Sequence, residues 1–205
     1  MRPSRASAEV SANAQPLPAA FVTAELRDID GLPERVRAVI ERASALSQMR
    51  LGYRYGSCDP SAGGMDCSGT IHRLLRDVGF ADAPRQSDGF YRWVWERSRL
   101  YPVVSHSMES FELKELRPGD LLFWTGTYKV DREVPITHVM LYLGVRDSDG
   151  RRVMFGASDG RTSNGVSSFG VGVFDFVLAK PSPDGGGSRF VGYGAIPGTR
   201  ELPIR

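Results

Sequence analysis

The residue of this chain best suited to nucleophilic chemistry is a cysteine placed where a glycine-rich loop turns into a helix. Cys67 lies within residues 64–69 (Gly-Met-Asp-Cys-Ser-Gly), and residues 70–80 then carry apolar side chains at helical spacing. The unpaired amide groups at a helix start stabilise a thiolate, which is the nucleophilic form of cysteine. The pattern therefore favours a reactive cysteine. A buried thiol that only packs as a small hydrophobic side chain is the alternative.

A cysteine nucleophile also needs a base, and the chain offers three histidines. His72 follows Cys67 on the same helix and points about 140° away from it around the helix axis. His106 lies in a region without a clear pattern. His138 begins an apolar strand, where a polar side chain is costly unless it has a partner or a function. A cysteine on a helix start that faces a histidine on the first strand of a sheet is typical of papain-like peptidases.

Helical periodicity comes first along the chain and strand-like patterns come second. Helices are predicted over 33–49, 67–79 and 87–99. Strands are predicted over 121–124, 136–145, 151–157, 171–180 and 189–196, with a polar loop over 158–168. This order predicts an α+β fold, papain-like, with N-terminal helices packed against a central antiparallel sheet.

Composition divides the chain into one domain with short ends. Residues 1–31 begin rich in Ala, Ser and Pro and predict a disordered leader or extension. The domain is expected over 32–198 and a tail over 199–205. A secretory signal is not intact, because the small residues near position 13 have no apolar segment before them.

Charge and cysteine content exclude several classes of function. The net charge of +2 gives no argument for nucleic-acid or membrane-surface binding, and no apolar run approaches the roughly 20 residues of a membrane span. Cys58 and Cys67 do not make a disulfide framework, although a bridge between them would inactivate Cys67. The histidines and cysteines lack zinc-ligand spacing, so no metal or other cofactor is expected.

Five short motifs, in order, resemble those of the NlpC-type cysteine peptidases, which are bacterial cell-wall hydrolases. The motifs are Tyr53-Arg54-Tyr55-Gly56, Asp66-Cys67-Ser68-Gly69, Pro84-Arg85, Arg117-Pro118-Gly119-Asp120-Leu121 and His138-Val139-x-x-Tyr142-Leu143-Gly144. Each motif is weak alone, and the ordered set over about residues 33–196 is specific. The resemblance implies a cysteine endopeptidase that hydrolyses peptidoglycan stem peptides, at the γ-D-glutamyl to diamino-acid bond.

The resemblance also assigns roles to individual residues. It implies that Cys67 is the nucleophile and His138 the base, and that Tyr53 lies beside the thiol, where it assists the substrate or the oxyanion. The Cys67 backbone amide would donate to that oxyanion.

Three further residues match positions that contact substrate. Asp66 and Ser68 resemble residues that bind the polar end of the stem peptide, and Asp66 also matches a possible anchor for a substrate amine. Arg85 sits where the family often has a Pro-Arg pair near the groove. Core packing is the alternative for the tyrosines at 53 and 55, and a surface or helix-cap charge is the alternative for Arg85.

One position departs from the family pattern. A third polar residue usually orients the base, and here the matching position is Gly156, which has no side chain. A water or another residue could fill the gap, with Ser158, Asp159 and Asn164 nearby in sequence. The protein could instead act as a Cys-His dyad at a reduced rate, or be a catalytically weakened or inactive relative that only binds peptidoglycan peptides.

The expected partners are stem peptides or muropeptides, bound by a monomer in the periplasm or outside the cell. A related thiol chemistry on a substrate outside the cell wall is a further alternative. Residues 125–136 predict a protruding loop beside the groove that narrows substrate choice, with an ordinary solvated loop as the alternative.

Overall fold

The computed structural model describes residues 15–178 and 187–200, and every structural statement below concerns these residues. The α-helices are α1 (Glu34–Gln48), α2 (Cys67–Asp77) and α3 (Ser87–Arg97). Short 3-10 helices lie at Thr23–Glu25, Ile29–Gly31, Pro60–Ala62 and Phe111–Leu113. The strands, numbered β1 to β8, are Gly52–Tyr53, Gly64–Met65, Leu100–Pro102, Asp120–Thr125, Ile136–Val145, Arg152–Ser163, Val166–Asp175 and Arg189–Ala195.

The central sheet has the strand order β3-β8-β4-β5-β6-β7, and all of its pairs are antiparallel. Strands β4 to β7 follow one another as a meander, while β8 returns to lie between β3 and β4. Strands β1 and β2 form a separate parallel pair beside α2. The helices precede this sheet in the chain, so the predicted α+β architecture is confirmed.

Alternate side chains of β5 point to opposite faces of the sheet, as a pleated strand requires. Val139, Leu141 and Leu143 belong to the large core that the helices cover. Met140 and Tyr142 belong to a second cluster on the other face, together with Trp124. The predicted base therefore begins a strand that is buried on both faces, which accounts for its near-continuous apolar sequence.

Strands β6 and β7 form a longer hairpin than the sequence predicted. The segment 158–168, expected to be a polar loop, continues both strands to a tight turn at Asn164-Gly165. Both turn residues have positive φ, 52° and 79°, which suits the Asn-Gly pair of a two-residue hairpin. The register shifts between Asp159 and Thr162, so a β-bulge interrupts the hairpin there.

Residues 15–31 form an extension that packs on the domain, so the expectation of disorder is wrong for them. The Ala19 carbonyl accepts from the Val173 amide at 2.8 Å, and the Pro16 carbonyl accepts from the Phe169 amide at 2.9 Å. Phe21 is 4% exposed and enters the large core. Apolar side chains and backbone pairing with β7 hold this segment despite its loop-like composition. Residues 1–14 lie outside the described part.

The predicted tail also begins in ordered structure. Thr199 is buried, and Arg200 forms an ion pair with the buried Asp120 at 2.8 Å. Residues 201–205 lie outside the described part, as do 179–186, which include the end of the strand predicted over 171–180.

Phe21→Ala tests whether the extension is part of the folded domain. We expect a loss of about 3 kcal/mol in the free energy of unfolding, measured by urea denaturation, because a buried ring leaves a cavity. The matched control is Val22→Ala, at a side chain that is 49% exposed, with an expected change within about 0.5 kcal/mol. Equal and small losses in both variants would contradict the packing of the extension.

Candidate active site

Cys67 is the first residue of α2, as predicted, and Asp66 is the N-cap that starts the helix. The Asp66 carboxylate accepts from the Gly69 amide at 2.5 Å. Gly69 is required here, because a Cβ at this position would lie 2.1 Å from the carbonyl oxygen of Ser57. The loop before the helix therefore packs directly on its first turn, which fixes the thiol in place.

The three substrate-binding residues predicted around Cys67 form one hydrogen-bonded cluster. Arg85 donates to both Asp66 oxygens at 3.0 and 3.2 Å, and to the Ser68 hydroxyl at 3.1 Å. Asp66 also accepts from the Gly56 amide at 2.8 Å. The Asp66 carboxylate is thus fully engaged by donors of the chain, and a substrate amine would have to compete with Arg85 for it.

His72, which the sequence places on the far side of the helix from Cys67, packs against the segment that follows α2. Its Nδ1 lies 3.1 Å from the Ala83 carbonyl oxygen and 2.9 Å from that of Pro84. This contact joins α2 to the segment that carries Arg85, so it helps to place that guanidinium beside Asp66.

Within the described residues, His138 receives a side-chain hydrogen bond from Arg161, a residue that sequence reasoning did not identify. Arg161 Nε donates to His138 Nε2 at 3.2 Å. The Arg161 guanidinium carbon lies 4.2 Å from the centre of the Trp124 ring, and Trp124 meets His138 edge to face at 5.6 Å. Arg161 belongs to the β-bulge of β6, which directs its side chain toward the start of β5.

This hydrogen bond determines where the imidazole carries its proton. Arginine can only donate hydrogen bonds, so His138 Nε2 must present its lone pair to Arg161. A neutral imidazole with a lone pair on Nε2 has its proton on Nδ1. The nitrogen left to serve Cys67 is therefore protonated, and it cannot accept the thiol proton until this arrangement changes.

Gly156 does not lie beside a vacant space. The β5–β6 register pairs Leu141 with Phe155, and this places Met140 beside Gly156. A Cβ at Gly156 would therefore lie 3.0 Å from Met140 Cε. Of the residues considered as substitutes, Ser158 accepts from the Arg161 amide at 3.2 Å and Asn164 accepts from Arg146 at 2.7 Å. In the described part of the chain, the group that contacts the His138 ring nitrogen is instead the Arg161 guanidinium.

The electrostatics of Cys67 oppose the expectation of a stabilised thiolate. Burial, and then the nearby Asp66 charge, raise the pKa of the Cys67 thiol to about 11. The backbone amides of Val139 and Ser68 lower the pKa, by less. The thiol Sγ lies 3.9 Å from the Thr137 carbonyl oxygen. Desolvation thus outweighs the helix start, and the resting residue is a neutral thiol.

His138 is also neutral at rest. Burial, and then the positive charge of Arg161, hold the pKa of His138 well below its usual value of 6.5. Burial lowers the pKa of Arg161 itself to about 10, so the guanidinium remains charged at neutral pH. The cation thus disfavours an imidazolium beside it.

Two cavities open on either side of Cys67. The first, about 690 Å³, contains His138, Asp159 and Arg161. The second, about 470 Å³, contains the Asp66, Ser68 and Arg85 cluster. Both are lined by Cys67 and by the tyrosines at positions 53, 55 and 128. A peptide bound across Cys67 would thus have a different set of polar groups at each end.

Tyr53 lines both cavities together with Cys67. Burial, and then the Cys67 charge, raise the pKa of the Tyr53 hydroxyl, which therefore keeps its proton over the whole working pH range. Its ring meets Phe169 edge to face at 5.6 Å. The Tyr53 side chain thus packs against Phe169 and also lines the groove that contains Cys67.

The loop between β4 and β5 borders the groove, as predicted. Tyr128 lines both cavities, and Arg132 lines the second. The loop is tied to α3 by the Arg132–Asp88 ion pair at 3.0 Å and the Arg92–Glu133 ion pair at 2.9 Å.

Neither a metal centre nor a disulfide accompanies this site. Cys58 and Cys67 are both free thiols, and Cys58 lies within hydrogen-bonding reach of Arg85. Within residues 15–178 and 187–200, no three His, Cys, Asp or Glu side chains come together as metal ligands would. In the same residues, no helix has the length and apolar character needed to cross a membrane.

A comparison with family models gives a match to the NlpC/P60 family over residues 50–169, more than half of the chain. The chain belongs to the NlpC/P60 family. Members of this family are generally cell-wall peptidases, and they are usually cysteine peptidases. The matched segment includes both Cys67 and His138, as well as Arg161. A comparison with curated proteins gives no match.

A comparison with solved structures gives similar chains that include the following two, of which the first supports the fold. One is a "similar to lipoprotein, NLP/P60 family" protein from Staphylococcus aureus subsp. aureus Mu50, at 21% identity and a TM-score of 0.50, over 87% of this chain and 43% of that one. Another is a novel NlpC/P60 endopeptidase from Photobacterium damselae subsp. piscicida, at 18% identity and a TM-score of 0.42, over 64% and 31% of the two chains. The present chain thus spans less than half of the length of either protein.

We expect iodoacetamide to alkylate Cys67 slowly at pH 7, at least about tenfold more slowly than an unstructured thiol, because little thiolate is present. Intact-mass measurements on Cys58→Ala, which keeps only the Cys67 thiol, would follow the reaction. The rate should rise steeply as pH approaches 11. Rapid alkylation at pH 7 would show instead that the helix start dominates over burial.

The ring of His138 should remain neutral at pH 5.5, where an ordinary histidine is mostly protonated. The unfolded chain binds this proton and the folded chain does not, so the free energy of unfolding should fall as pH drops below about 6.5. Histidine ring shifts followed by NMR against pH measure the first effect. In Arg161→Gln the midpoint of the His138 titration should rise only part of the way to the usual histidine pKa. Burial, which the substitution leaves in place, is the larger cause of the lowered pKa. An unchanged midpoint would contradict the role of Arg161.

Proposed function

We propose that this protein is a cysteine endopeptidase that cleaves peptidoglycan stem peptides at the γ-D-glutamyl to diamino-acid bond. The observation that carries the proposal is that Cys67, at the start of α2, and His138, at the start of β5, line one cavity. Acyl transfer requires at least a nucleophile and a base that face the same groove.

In the proposed reaction, Cys67 Sγ attacks the carbonyl carbon of the scissile bond and His138 takes the thiol proton. Negative charge develops on the carbonyl oxygen, and the Cys67 amide at the helix start donates to it. The Tyr53 hydroxyl, which stays protonated, is a second donor. His138 then returns the proton to the leaving amine, and water hydrolyses the acyl-enzyme.

The second cavity is the proposed site for the acyl side of the substrate. Ser68 and Arg85 present a hydroxyl and a guanidinium there, with Asp66 behind them. Of these three side chains, Arg85 is 32% exposed, so a substrate in the groove can reach its positive charge. We propose that the protein acts as a monomer in the periplasm or outside the cell, where stem peptides occur.

A weakened or binding-only relative is the second candidate function. It is favoured by the hydrogen bond that Arg161 donates to His138 and by the raised pKa of Cys67. This candidate predicts that muropeptides bind without turnover, which isothermal titration calorimetry can measure alongside the cleavage assay.

Digestion of defined muropeptides, analysed by mass spectrometry, tests the leading proposal. The wild-type chain should release fragments whose masses locate the cut at the γ-D-glutamyl bond, while Cys67→Ala should release none. The Cys58→Ala variant is the matched control, since it removes the other thiol and should retain cleavage. Identical profiles for wild type and Cys67→Ala would contradict catalysis on these substrates.

A further inference from the structure

Arg161 is held rigidly although it carries no catalytic assignment. Its Nε is bonded to His138, its guanidinium lies over Trp124, and its own amide donates to the Ser158 hydroxyl. A long flexible side chain with contacts at its backbone, its Nε and its flat face is pre-organised for recognition.

The charge of Arg161 is not neutralised within the described structure. Its Nη2 is buried and has no hydrogen-bond partner. Among residues 15–178 and 187–200, no carboxylate lies within ion-pair distance of it, and the exposed Asp159 acts on it only from further away. A buried guanidinium with an unused donor is costly, so an acceptor that arrives from outside would be favoured there.

The position of Arg161 relative to Cys67 indicates which part of a substrate it meets. His138 must return a proton to the leaving amine, so the leaving group has to lie on the histidine side of the thiol. His138 and Arg161 line the first cavity, and neither lines the second, where Arg85 lies. Arg161 therefore faces the leaving-group side of the groove.

The shape and charge of a guanidinium select a planar anion. A carboxylate matches its fork of N–H groups and accepts charge-assisted hydrogen bonds. We propose that Arg161 is the receptor for a carboxylate on the leaving group of the substrate, and that this carboxylate supplies His138 with the acceptor missing at Gly156. The inference rests on the proposed peptidase function and specifies its substrates: peptides with a free carboxylate on the residue that leaves.

The proton transfers follow from this binding. The carboxylate accepts from Arg161 Nη2 and replaces His138 Nε2 as the acceptor of the Nε–H, so Nε2 is released. The ring proton then moves from Nδ1 to Nε2 through solvent, and Nε2 donates it in a hydrogen bond to the carboxylate. Nδ1 then has a lone pair and takes the proton of the Cys67 thiol. The thiolate adds to the carbonyl carbon and forms the C–S bond, with the electron pair of the C=O bond moving to oxygen. The oxyanion then collapses, the C–N bond breaks, and the Nδ1 proton goes to the amine nitrogen. Water hydrolyses the acyl-enzyme afterwards, as in the proposed reaction. The charge of the carboxylate balances that of Arg161 throughout.

Binding measured without turnover tests the inference separately from cleavage. The probes are γ-D-glutamyl-diaminopimelyl peptides, one with free carboxylates on the diaminopimelyl residue and one with these groups amidated. In the Cys67→Ala background, calorimetry should show the acid binding at least about tenfold more tightly than the amide. With Arg161→Gln added, the ratio should fall to about one.

Two further variants exclude a general loss of structure. Arg161→Lys keeps the charge without the fork and should retain part of the preference, while Arg92→Gln, at an exposed arginine outside both cavities, should retain all of it. Equal affinity for acid and amide, a ratio that survives Arg161→Gln, or no binding of either peptide would overturn the inference.

Turnover of the same peptides by the wild-type chain separates this inference from the proposed function. An acid preference in binding that depends on Arg161, without cleavage of either peptide, would support the receptor and contradict the peptidase proposal for this substrate. Cleavage of both peptides at equal kcat/KM, unaffected by Arg161→Gln, would support the peptidase proposal and overturn the receptor.

Discussion

The hydrogen bond from Arg161 Nε to His138 Nε2 controls the chemistry available at this site. Because arginine can only donate, it places the imidazole proton on Nδ1, on the side that a base needs vacant. Because arginine is positively charged, it also disfavours the imidazolium that any proton transfer from Cys67 would create. The proposed nucleophile and the proposed base are thus each held in a neutral form at rest.

Burial produces the same outcome at the thiol. The N-terminus of α2 favours a thiolate, yet Cys67 is 7% exposed, and Asp66, the residue that starts the helix, brings a negative charge close to it. The capping residue thus stabilises the helix and opposes ionisation of the residue that follows. Arg85 offsets this effect in part, since its guanidinium pairs with the Asp66 carboxylate. Helix capping, the position of Arg85 and the ionisation of the thiol are therefore coupled through one carboxylate.

The parts of the site that depend on local pattern could be predicted from the sequence. The helix start at Cys67 and the buried strand that contains His138 both follow from residue type and spacing. The position of Arg85 beside the groove followed from the family resemblance alone. Arg161 could not be found in the same way while residues 158–168 were assigned to a loop. The Asn164-Gly165 pair is a hairpin signal that extends β6 through residue 163, and it would have placed Arg161 on the strand after the base. The bulge that directs its side chain to His138 has no comparable signal, because it depends on the pairing with β7.

The extension over residues 15–31 also covers an outer edge of the central sheet. Strand β7 is an outer strand of the sheet, and its amides would otherwise be available to a second sheet. Carbonyl groups of Pro16 and Ala19 in the extension, and of Leu51 outside it, accept from β7 instead. Those of Ala19 and Leu51 lie close against it because Gly172 and Gly170 carry no side chains. A chain that began at residue 32 would keep the Leu51 contact and lose the cover that Pro16 and Ala19 provide. We expect such a chain to aggregate through strand-to-strand contact, although Cys67 and His138 would still be in place.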